Sequence, residues 1–216
     1  MRLTPYGRRE WLSCLLGFGS VTLLSLALFP AGWWIPAMAA VFPLVFFRDP
    51  DRKPPADADA FLSPADGTVA DIGPVQELEF IQGEALRIGV FMSIFSVHVN
   101  RAPCAGTVEY VRHRPGGYRH AMSEQARISN ESNLLGIVAA PRGVRVGVRQ
   151  VVGSVARRIV CACKPGDTLE QGQRIGMIKF GSRLELLVPV TAAFTPAVKV
   201  GDKVKAGLTV LGRFEH

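Results

Sequence analysis

Two stretches of the chain share one pattern of turns: Lys164-Pro-Gly-Asp-Thr-Leu-Glu-Gln-Gly-Gln-Arg-Ile-Gly176 and Lys199-Val-Gly-Asp-Lys-Val-Lys-Ala-Gly-Leu-Thr-Val-Leu-Gly212. Both contain Gly-Asp-x-φ-x-x-Gly, where φ is an apolar residue, at an offset of 35 residues. Gly-Asp favours a tight turn, the apolar residue supplies one strand contact, and the second glycine favours another turn. The repeat therefore predicts a small barrel built from short strands.

The rest of the C-terminal part also favours strands. Runs of β-branched or alternating apolar residues, bounded by Gly and Pro, cover 86–95, 143–152, 158–163 and 184–188. Helix signals are scarce, and only 123–127 indicates a short helix. The stretch Ser63-Pro-Ala-Asp-Gly-Thr-Val-Ala-Asp-Ile-Gly73 is similar to phrases that open strands in lipoyl-like barrels. We therefore expect a mainly β domain over residues 56–216, with the architecture of a barrel-sandwich hybrid.

The N-terminal part is strongly apolar. Residues Trp11 to Phe29 contain no ionisable side chain except Cys14, and these 19 residues approach the roughly 20 that cross a bilayer as a helix. A second apolar run over 35–47 is shorter and contains Pro36 and Pro43. The pattern favours a helical hairpin that anchors the chain in a membrane. A cleaved signal peptide fits less well, because the first run is long for a signal sequence and a second run follows it.

Charge agrees with a membrane partner. The formal net charge of +7 and the sequence pI near 9.6 suit an anionic surface, and the apolar N-terminus favours acidic lipid over nucleic acid. Basic residues flank both ends of the apolar region, which places both ends in the cytoplasm. We therefore predict an anchor and linker over residues 1–55, located at the cell membrane, with the domain 56–216 on the cytoplasmic face. The flanking basic residues are Arg2, Arg8, Arg9, Arg48, Arg52 and Lys53.

A Gly-Ser bond between two strand-like runs, in Phe180-Gly181-Ser182-Arg183, suggests self-processing. The Ser182 hydroxyl can attack the Gly181 carbonyl if the backbone holds the two groups in line, and glycine tolerates the unusual dihedral angles that this requires. The resulting ester can eliminate to dehydroalanine, and hydrolysis then leaves a pyruvoyl group on a new chain that begins at residue 182. Taken alone, a Gly-Ser dipeptide is far more often an ordinary turn.

Four ordered motifs give this bond a context. Together they span about 60 to 190 and resemble the short-form phosphatidylserine decarboxylases, whose processing site the last motif resembles. The motifs are Ser63-Pro-Ala-Asp-Gly67, Phe95-Ser-Val-His-Val-Asn-Arg-Ala-Pro103, Val155-Ala-Arg-Arg-Ile-Val160 and Gly176-Met-Ile-Lys-Phe-Gly-Ser-Arg-Leu-Glu-Leu-Leu-Val-Pro189.

The resemblance implies a proenzyme that cuts itself between Gly181 and Ser182. The large chain, 1–181, and the small chain, 182–216, would stay together as a heterodimer, with or without further oligomerisation. The covalent pyruvoyl group derived from Ser182 would form a Schiff base with the substrate amine and hold the electrons as CO₂ leaves. Phosphatidylserine in the membrane would thereby become phosphatidylethanolamine, with no external cofactor and no metal.

The resemblance also assigns roles to individual residues. His98 would be the base that activates Ser182, and Asp66 would orient the imidazole, as in a Ser-His-Asp triad. Longer bacterial relatives carry His-x-x-His, whereas this chain has His98-Val-Asn-Arg101. Either His98 serves both maturation and decarboxylation, or Arg101 takes part in binding the substrate carboxylate or phosphate.

Two further polar segments are weaker candidates. Asn130 and Glu131 lie where the family carries a polar Asn-Glu segment, and we name them as candidates for substrate binding. A basic loop around 115–118 either meets anionic lipid headgroups or is a solvated surface loop. Its basic residues are Arg112, Arg114, Arg119 and His120.

Other functions of a lipoyl-like barrel remain as alternatives. A lipoyl carrier needs a lysine at a hairpin tip, whereas Lys203 and Lys205 lie inside the repeated turn. A non-catalytic barrel in a membrane-anchored adaptor usually accompanies long helical hairpins, which this sequence lacks. A decarboxylase of another serine phospholipid is a further alternative. Zinc hydrolysis is disfavoured because no two histidines are separated by one residue, and Cys161 and Cys163 indicate apolar packing rather than a metal clip.

Overall fold

The structure, a computed structural model, describes residues 2–119, 129–154, 158–179 and 181–215. The chain divides into two compact units, the first ending at Asp51 and the second beginning at Arg52. The short helix expected over 123–127 lies outside the described residues.

The first unit is helical and apolar. No residue of its longest helix, which has 21 residues, is buried, and three of its leucines are 70–75% exposed. Within the described part of the chain, Pro5–Leu28 is the one helical segment that is long and apolar enough to cross a membrane, while the second apolar run gives shorter helices. Its helices are α1 (Arg8–Leu28), α2 (Trp34–Ala39) and α3 (Val41–Phe46), with 3₁₀ turns at Pro5–Gly7 and Pro30–Gly32. A further 3₁₀ turn, Val190–Ala192, belongs to the second unit.

A short pair of strands joins the two ends of the apolar region. β1 (Arg2–Leu3) pairs antiparallel with β2 (Arg48–Asp49). The backbone N–H of Thr4 also donates to the carbonyl of Phe47 at 2.9 Å. The residues that precede and follow the apolar helices therefore lie side by side.

The second unit is mainly β, as the sequence predicts. Eight strands form one curled sheet in the order β11-β7-β8-β9-β13-β5-β4-β15, and two sheets of three strands have the orders β10-β12-β6 and β14-β16-β3. Neighbouring strands in the sheets are antiparallel. The strands are β3 (Ala60–Leu62), β4 (Gly67–Glu77), β5 (Gly83–Met92), β6 (Val99–Arg101), β7 (Gly106–Arg114), β8 (Ser132–Ala139), β9 (Val144–Val152), β10 (Arg158–Cys161), β11 (Thr168–Leu169), β12 (Arg174–Lys179), β13 (Ser182–Pro189), β14 (Phe194–Pro196), β15 (Lys203–Val204) and β16 (Val210–Phe214).

The two copies of the repeated turn have the same conformation. The first glycine of each copy, Gly166 and Gly201, has φ of +93° and +96°, and the second, Gly172 and Gly207, has φ of +76° and +67°. These left-handed values favour glycine. In both copies the aspartate side chain accepts a hydrogen bond of 2.9 Å from the backbone N–H three residues earlier. The turns predicted from the repeat are confirmed.

Each repeated turn also supplies an edge strand of the large sheet. The segments that pair with these edge strands form a second sequence repeat, Ser63-Pro-Ala-Asp-Gly-Thr-Val69 and Ala102-Pro-Cys-Ala-Gly-Thr-Val108. β15 pairs with the start of β4, and β11 pairs with the start of β7 in the equivalent register. Gly207 N–H donates to Ser63 O at 2.8 Å, and Gly172 N–H donates to Ala102 O at 2.9 Å. The domain thus contains two related halves. Sequence reasoning missed the second repeat because only its proline and Gly-Thr-Val are shared.

The main apolar core lies on one face of β13. Side chains alternate between the two faces of a strand, so Leu184, Leu186 and Val188 point to the same side. All three are fully buried in the main cluster, together with residues of both neighbouring strands. From β5 these are Ile88, Val90 and Met92, and from β9 they are Val146, Val148 and Val152. Ser182 belongs to the same alternation and faces this core.

The opposite face of β13 carries buried charge. Arg183 and Glu185, which are 2% and 1% exposed, form a hydrogen bond of 2.8 Å. Arg183 also donates to Asp71 of β4 at 2.7 Å. Burial of Asp71 disfavours its ionised form, but the hydrogen bond and charge of Arg183, with those of Arg87, outweigh burial and lower the pKa of this carboxyl. Adjacent residues of β13 therefore serve an apolar core and an ion-pair network.

Gly89→Ala tests this network. A Cβ at position 89 would collide with the Arg183 guanidinium and push it away from its carboxylate partners. Because a hydrogen bond to a charged group contributes on the order of 2 kcal/mol, we expect a loss of stability of about that size. Thermal unfolding in detergent, followed by circular dichroism, measures it. Gly73→Ala is the control, since a Cβ there has no atom within 4 Å. Equal losses in the two variants would contradict the steric explanation.

Candidate active site

Ser182 begins the strand at the centre of the large sheet. Its backbone pairs with Val152 of β9 on one side and with Met92 of β5 on the other. Its side chain is fully buried, and the hydroxyl donates to the thioether of Met92 with 3.5 Å between Oγ and Sδ. A thioether is a weak acceptor. The hydroxyl is therefore positioned without a strong hydrogen bond that a reaction would have to break.

Gly181, directly before β13, is half-buried. A Cβ at this position would have no atom within 4 Å. The unusual backbone expected at Gly181 stays a prediction. Phe180, on the other side of Gly181, lies outside the described residues.

His98 lies directly before β6 and is fully buried. Its Nδ1 is 2.9 Å from the carbonyl oxygen of Ser96. A carbonyl only accepts hydrogen bonds, so Nδ1 carries the proton in this contact, and the lone pair of the neutral ring is then on Nε2. This is the tautomer that a base acting through Nε2 requires.

Asp66 is held by Arg52, contrary to the expected triad. Arg52 Nη2 donates to Oδ2 at 2.8 Å, Nη1 binds Oδ1, and the backbone N–H of Ala206 donates to Oδ1 at 2.8 Å. A bidentate guanidinium and a backbone N–H thus engage both carboxylate oxygens. The hydrogen bond predicted between Asp66 and His98 is not formed, and Ser96 holds the imidazole instead.

Three buried amide side chains form a hydrogen-bonded chain that ends at Met92, the residue that contacts the Ser182 hydroxyl. Asn133 Nδ2 donates to Gln150 Oε1 at 3.1 Å, and Gln150 Nε2 donates to Asn100 Oδ1 at 2.9 Å. Asn100 Nδ2 is directed at the sulfur of Met92, 3.9 Å away. None of the three amides is more than 3% exposed. The Met92 sulfur therefore contacts both the end of this amide chain and the Ser182 hydroxyl.

The amide chain has a single direction. Each amide donates to the next, so the dipoles align toward Met92, and hydrogen bonds in such a series strengthen one another in a low-dielectric interior. Asn133 and Gln150 are register partners in β8 and β9. Sequence reasoning missed Gln150, which belongs to none of the four motifs, whereas Asn133 ends the polar segment that begins at Asn130. Asn100 lies inside the motif around His98, but its partners are not recognisable without the sheet register.

Two cysteines lie beyond Asn133. A hydrogen bond from the Cys163 thiol outweighs partial burial and, with a contact from Asn133, lowers the pKa of Cys161 to about 6. The pKa of Cys163 is raised by the same contact and by burial. The two thiols donate to the carbonyl oxygens of Cys163 and Ile175, 3.6 and 3.8 Å away. Within the described ranges, no group of three or more His, Cys, Asp or Glu residues is placed to hold a metal ion.

Asn130 and Glu131 hold the strand beside Ser182. Asn130 Nδ2 donates to the carbonyl of Val152 at 2.8 Å, and Val152 N–H donates to the carbonyl of Glu131 at 3.1 Å. Val152 is the residue that pairs with Ser182. The Asn130 side chain also bonds both backbone groups of Arg119, at 2.7 and 2.8 Å. The structure therefore places this segment against the backbone next to Ser182, and its contact with substrate stays a prediction.

The arginines named from the sequence have different environments. Arg101 is buried, and its Nη1 donates to the carbonyl of Gly172 at 2.9 Å, which ties β6 to one repeated turn. Arg112 and Arg114 are exposed and pair with Glu79 at 3.5 and 2.8 Å. The positive charge of these two residues is therefore partly compensated within the domain.

Comparison with known proteins agrees with the arrangement of motifs. A family model described as phosphatidylserine decarboxylase matches residues 40–212. A relative from Desulfotalea psychrophila is 47% identical over 177 residues, which cover 82% of this chain and 81% of the relative. A relative from Ralstonia nicotianae is 43% identical over 98% of this chain and 97% of its own length. Both relatives are named phosphatidylserine decarboxylase proenzyme.

The motifs, the fold and these matches define a decarboxylase. The chain belongs to the phosphatidylserine decarboxylase family, which confirms the resemblance drawn from its four motifs.

Gln150→Leu tests the importance of the amide chain. The substitution removes the central amide and leaves Asn100 and Asn133 without their mutual link in a buried site. Because each unsatisfied buried amide costs about 1–3 kcal/mol, we expect a loss of roughly 2–4 kcal/mol in the free energy of unfolding. Gln76→Leu, at an exposed position of β4, is the matched control and should change stability little. If Gln150→Leu unfolds like Gln76→Leu, the amide chain does not stabilise this region.

Proposed function

We propose that this chain is a pyruvoyl-dependent proenzyme that converts phosphatidylserine to phosphatidylethanolamine and CO₂ after cutting itself between Gly181 and Ser182. The observation that carries the proposal is the position of Ser182. Its buried hydroxyl follows a glycine directly, at the first residue of the central strand, in a chain whose relatives are named proenzymes.

The proposed maturation is a sequence of bond changes at one residue. Ser182 Oγ bonds to the Gly181 carbonyl carbon while the C–N bond between the two residues breaks, and the hydroxyl proton goes to the departing amine. Removal of the Ser182 α-proton then breaks the bond between Cβ and Oγ. This leaves a carboxylate on Gly181 and dehydroalanine at residue 182. Water adds as ammonia leaves, which gives the ketone, and no oxidant or reductant is required.

His98 is the proposed base for these proton transfers. A serine hydroxyl is a weak nucleophile without a base, and general-base help is typically about 10²–10⁴-fold. Two observations support His98: its Nδ1 contact with Ser96 leaves the lone pair on Nε2, and the strand that ends at Met92 leads within six residues to His98. We propose that Asp66 contributes through the scaffold, since it joins Arg52 to the repeated turn at Ala206.

The environment of residue 182 fits a pyruvoyl group. After the loss of Oγ the side chain is a methyl group, and the site is fully buried next to a thioether and the apolar core, which suits a methyl group. The group, once formed, supplies a ketone conjugated to a carbonyl that can accept the electrons released with CO₂. Arg101, Asn130 and Glu131 remain the proposed substrate-binding residues. Asn130 and Glu131 bond Val152, which pairs with residue 182, and Arg101 lies on β6.

Strand pairing explains how the two chains would stay together. The small chain, 182–216, begins with β13, which is paired along its length with β5 and over six residues with β9. It also contributes β15 beside β4 and β16 beside β3. A cut before Ser182 leaves all of these ladders intact. The product is therefore a heterodimer of the large and small chains.

The two related halves support the finer description of the fold. Each half contains an x-Pro-x-x-Gly-Thr-Val strand opening and a Gly-Asp turn that pairs with it. Two such halves that share one core are expected in a barrel-sandwich hybrid of the lipoyl-like kind, and we propose this architecture for the domain. The non-catalytic adaptor is set aside because the chain belongs to an enzyme family.

The apolar unit is the proposed membrane anchor. The exposed leucines of α1 require an apolar environment, and a bilayer provides it. By the positive-inside tendency, we propose that residues 1–55 anchor the chain in the cell membrane with the catalytic domain on the cytoplasmic face. The remaining alternative is that another serine phospholipid is the substrate. An assay that compares phosphatidylserine with other lipids that carry a serine headgroup distinguishes the two.

Ser182→Ala should abolish cleavage, because no oxygen remains to receive the Gly181 acyl group. We expect intact-mass measurement of the purified wild type to show two chains, the smaller one pyruvoyl-capped, and the variant to remain one chain. The chain offers a matched control, since Gly153-Ser154 is another Gly-Ser pair and Ser154 is exposed. Ser154→Ala should be cut like the wild type. Efficient cleavage of Ser182→Ala between residues 181 and 182 would refute self-processing by this serine.

His98→Ala should slow cleavage about 10²–10⁴-fold, as expected when a general base is removed. Asp66→Ala should slow it less, because its carboxylate acts through Arg52 and Ala206 and makes no contact with the imidazole. Time courses of chain separation after in vitro synthesis measure both rates. His113→Ala, which alters an exposed histidine that pairs with Glu131, is the control. Normal cleavage of His98→Ala would remove His98 from maturation.

A further inference from the structure

A tight turn carries two adjacent apolar side chains between Met92 and His98. The backbone N–H of Ser96 donates to the carbonyl of Ser93 at 3.0 Å, and the hydroxyls of the two serines are 3.3 Å apart. Ile94 and Phe95 therefore occupy the two central positions of a β-turn, where side chains project outward. Phe95 is 71% exposed and Ile94 is 40% exposed.

This pair differs from the other exposed apolar residues of the domain. In the described part of residues 52–216, Ile94 and Phe95 are the only two consecutive large apolar residues that are exposed. Single exposed apolar side chains are common and need no explanation, whereas a contiguous exposed group marks an interaction site. The contacts between Ser93 and Ser96 close the turn that carries both side chains.

Both ends of the turn contact candidate reactive residues. Met92, directly before the turn, pairs with Ser182 and accepts a hydrogen bond from its hydroxyl. At the other end, the carbonyl of Ser96 accepts a hydrogen bond from Nδ1 of His98. The exposed residues Ile94 and Phe95 are therefore close in the chain to Met92, which contacts Ser182, and to Ser96, which contacts His98.

We propose that Ile94 and Phe95 form an apolar tip that inserts into the surface of the phospholipid bilayer in which the substrate resides. This inference rests on the proposed function, because a phosphatidylserine headgroup lies at the bilayer surface and must reach residue 182. Apolar side chains inserted at the boundary between headgroups and acyl chains bind in proportion to the apolar area that they bury. Insertion of the tip brings the lipid headgroups to the elements that hold Ser182 and His98.

The first test compares substrates. The double variant Ile94→Ser/Phe95→Ser in the full-length protein should keep normal cleavage at 181–182 and normal turnover of a short-chain soluble phosphatidylserine. Its turnover of phosphatidylserine in vesicles with phosphatidylcholine should fall roughly tenfold or more, which is the effect of losing one buried aromatic side chain. Leu78→Ser is the matched control, because Leu78 is 76% exposed. It lies before β5, at the opposite end of that strand from the turn. Equal losses on both substrates, or no loss on vesicles, would overturn the proposal.

The second test does not depend on activity. Photoreactive p-benzoyl-phenylalanine at position 95 or at position 78 is irradiated in the same vesicles, and adducts are identified by mass spectrometry. We expect lipid adducts at position 95 and few at position 78. Adducts of position 95 with another copy of the chain, or the absence of lipid adducts, would refute bilayer insertion. If the wild type neither cuts itself nor releases CO₂, the proposed function fails, whereas the adducts still decide whether the tip meets lipid.

Discussion

The position of Ser182, the proposed reacting serine, depends on β13 being held between two neighbouring strands. β13 pairs with β5 along its whole length and with β9 over its first six residues, and Ser182 is the first position of both ladders. Residue 182 is thus paired on both sides, while Gly181 lies just before the strand. Because these ladders join residues far apart in the chain, the sheet must form before the hydroxyl is correctly placed. Folding therefore has to precede any chemistry at this bond.

Side chains of β13 alternate between the two faces of the strand, so adjacent residues lie in different environments. Ser182 faces the apolar core and a thioether, whereas Arg183 faces a buried ion-pair network with Asp71 and Glu185. The charged partners of Arg183 keep that side chain directed away from the serine. On the core side, the polar groups near Ser182 are neutral amides that end at Met92. A neutral and largely apolar surrounding favours an uncharged hydroxyl and suits the methyl group that would replace it.

Much of this arrangement could be predicted from local sequence, and the remainder could not. The Gly-Asp turns were predictable because glycine and aspartate specify their own conformation over a few residues. The proposed role of Ser182 rests on four motifs rather than on the dipeptide, and it stays a prediction. The partner of Asp66 was not predictable, since choosing Arg52 over His98 depends on how the linker packs beside the repeated turn at Ala206. The amide chain was likewise hidden, because its three members come from three strands.

The short segment from Met92 to His98 links these separate observations. A substrate that lies in a membrane has to meet a residue that is fully buried, so some element must connect the domain surface with Ser182. The turn at Ser93 to Ser96 is suited to this, because Met92 directly before it accepts the hydrogen bond of the serine hydroxyl and its Ser96 carbonyl accepts that of the imidazole. A displacement of this segment would affect both groups, since the Ser182 hydroxyl bonds Met92, directly before the turn, and the His98 imidazole bonds the Ser96 carbonyl. The segment that holds the proposed reactive groups therefore also carries Ile94 and Phe95 at the surface.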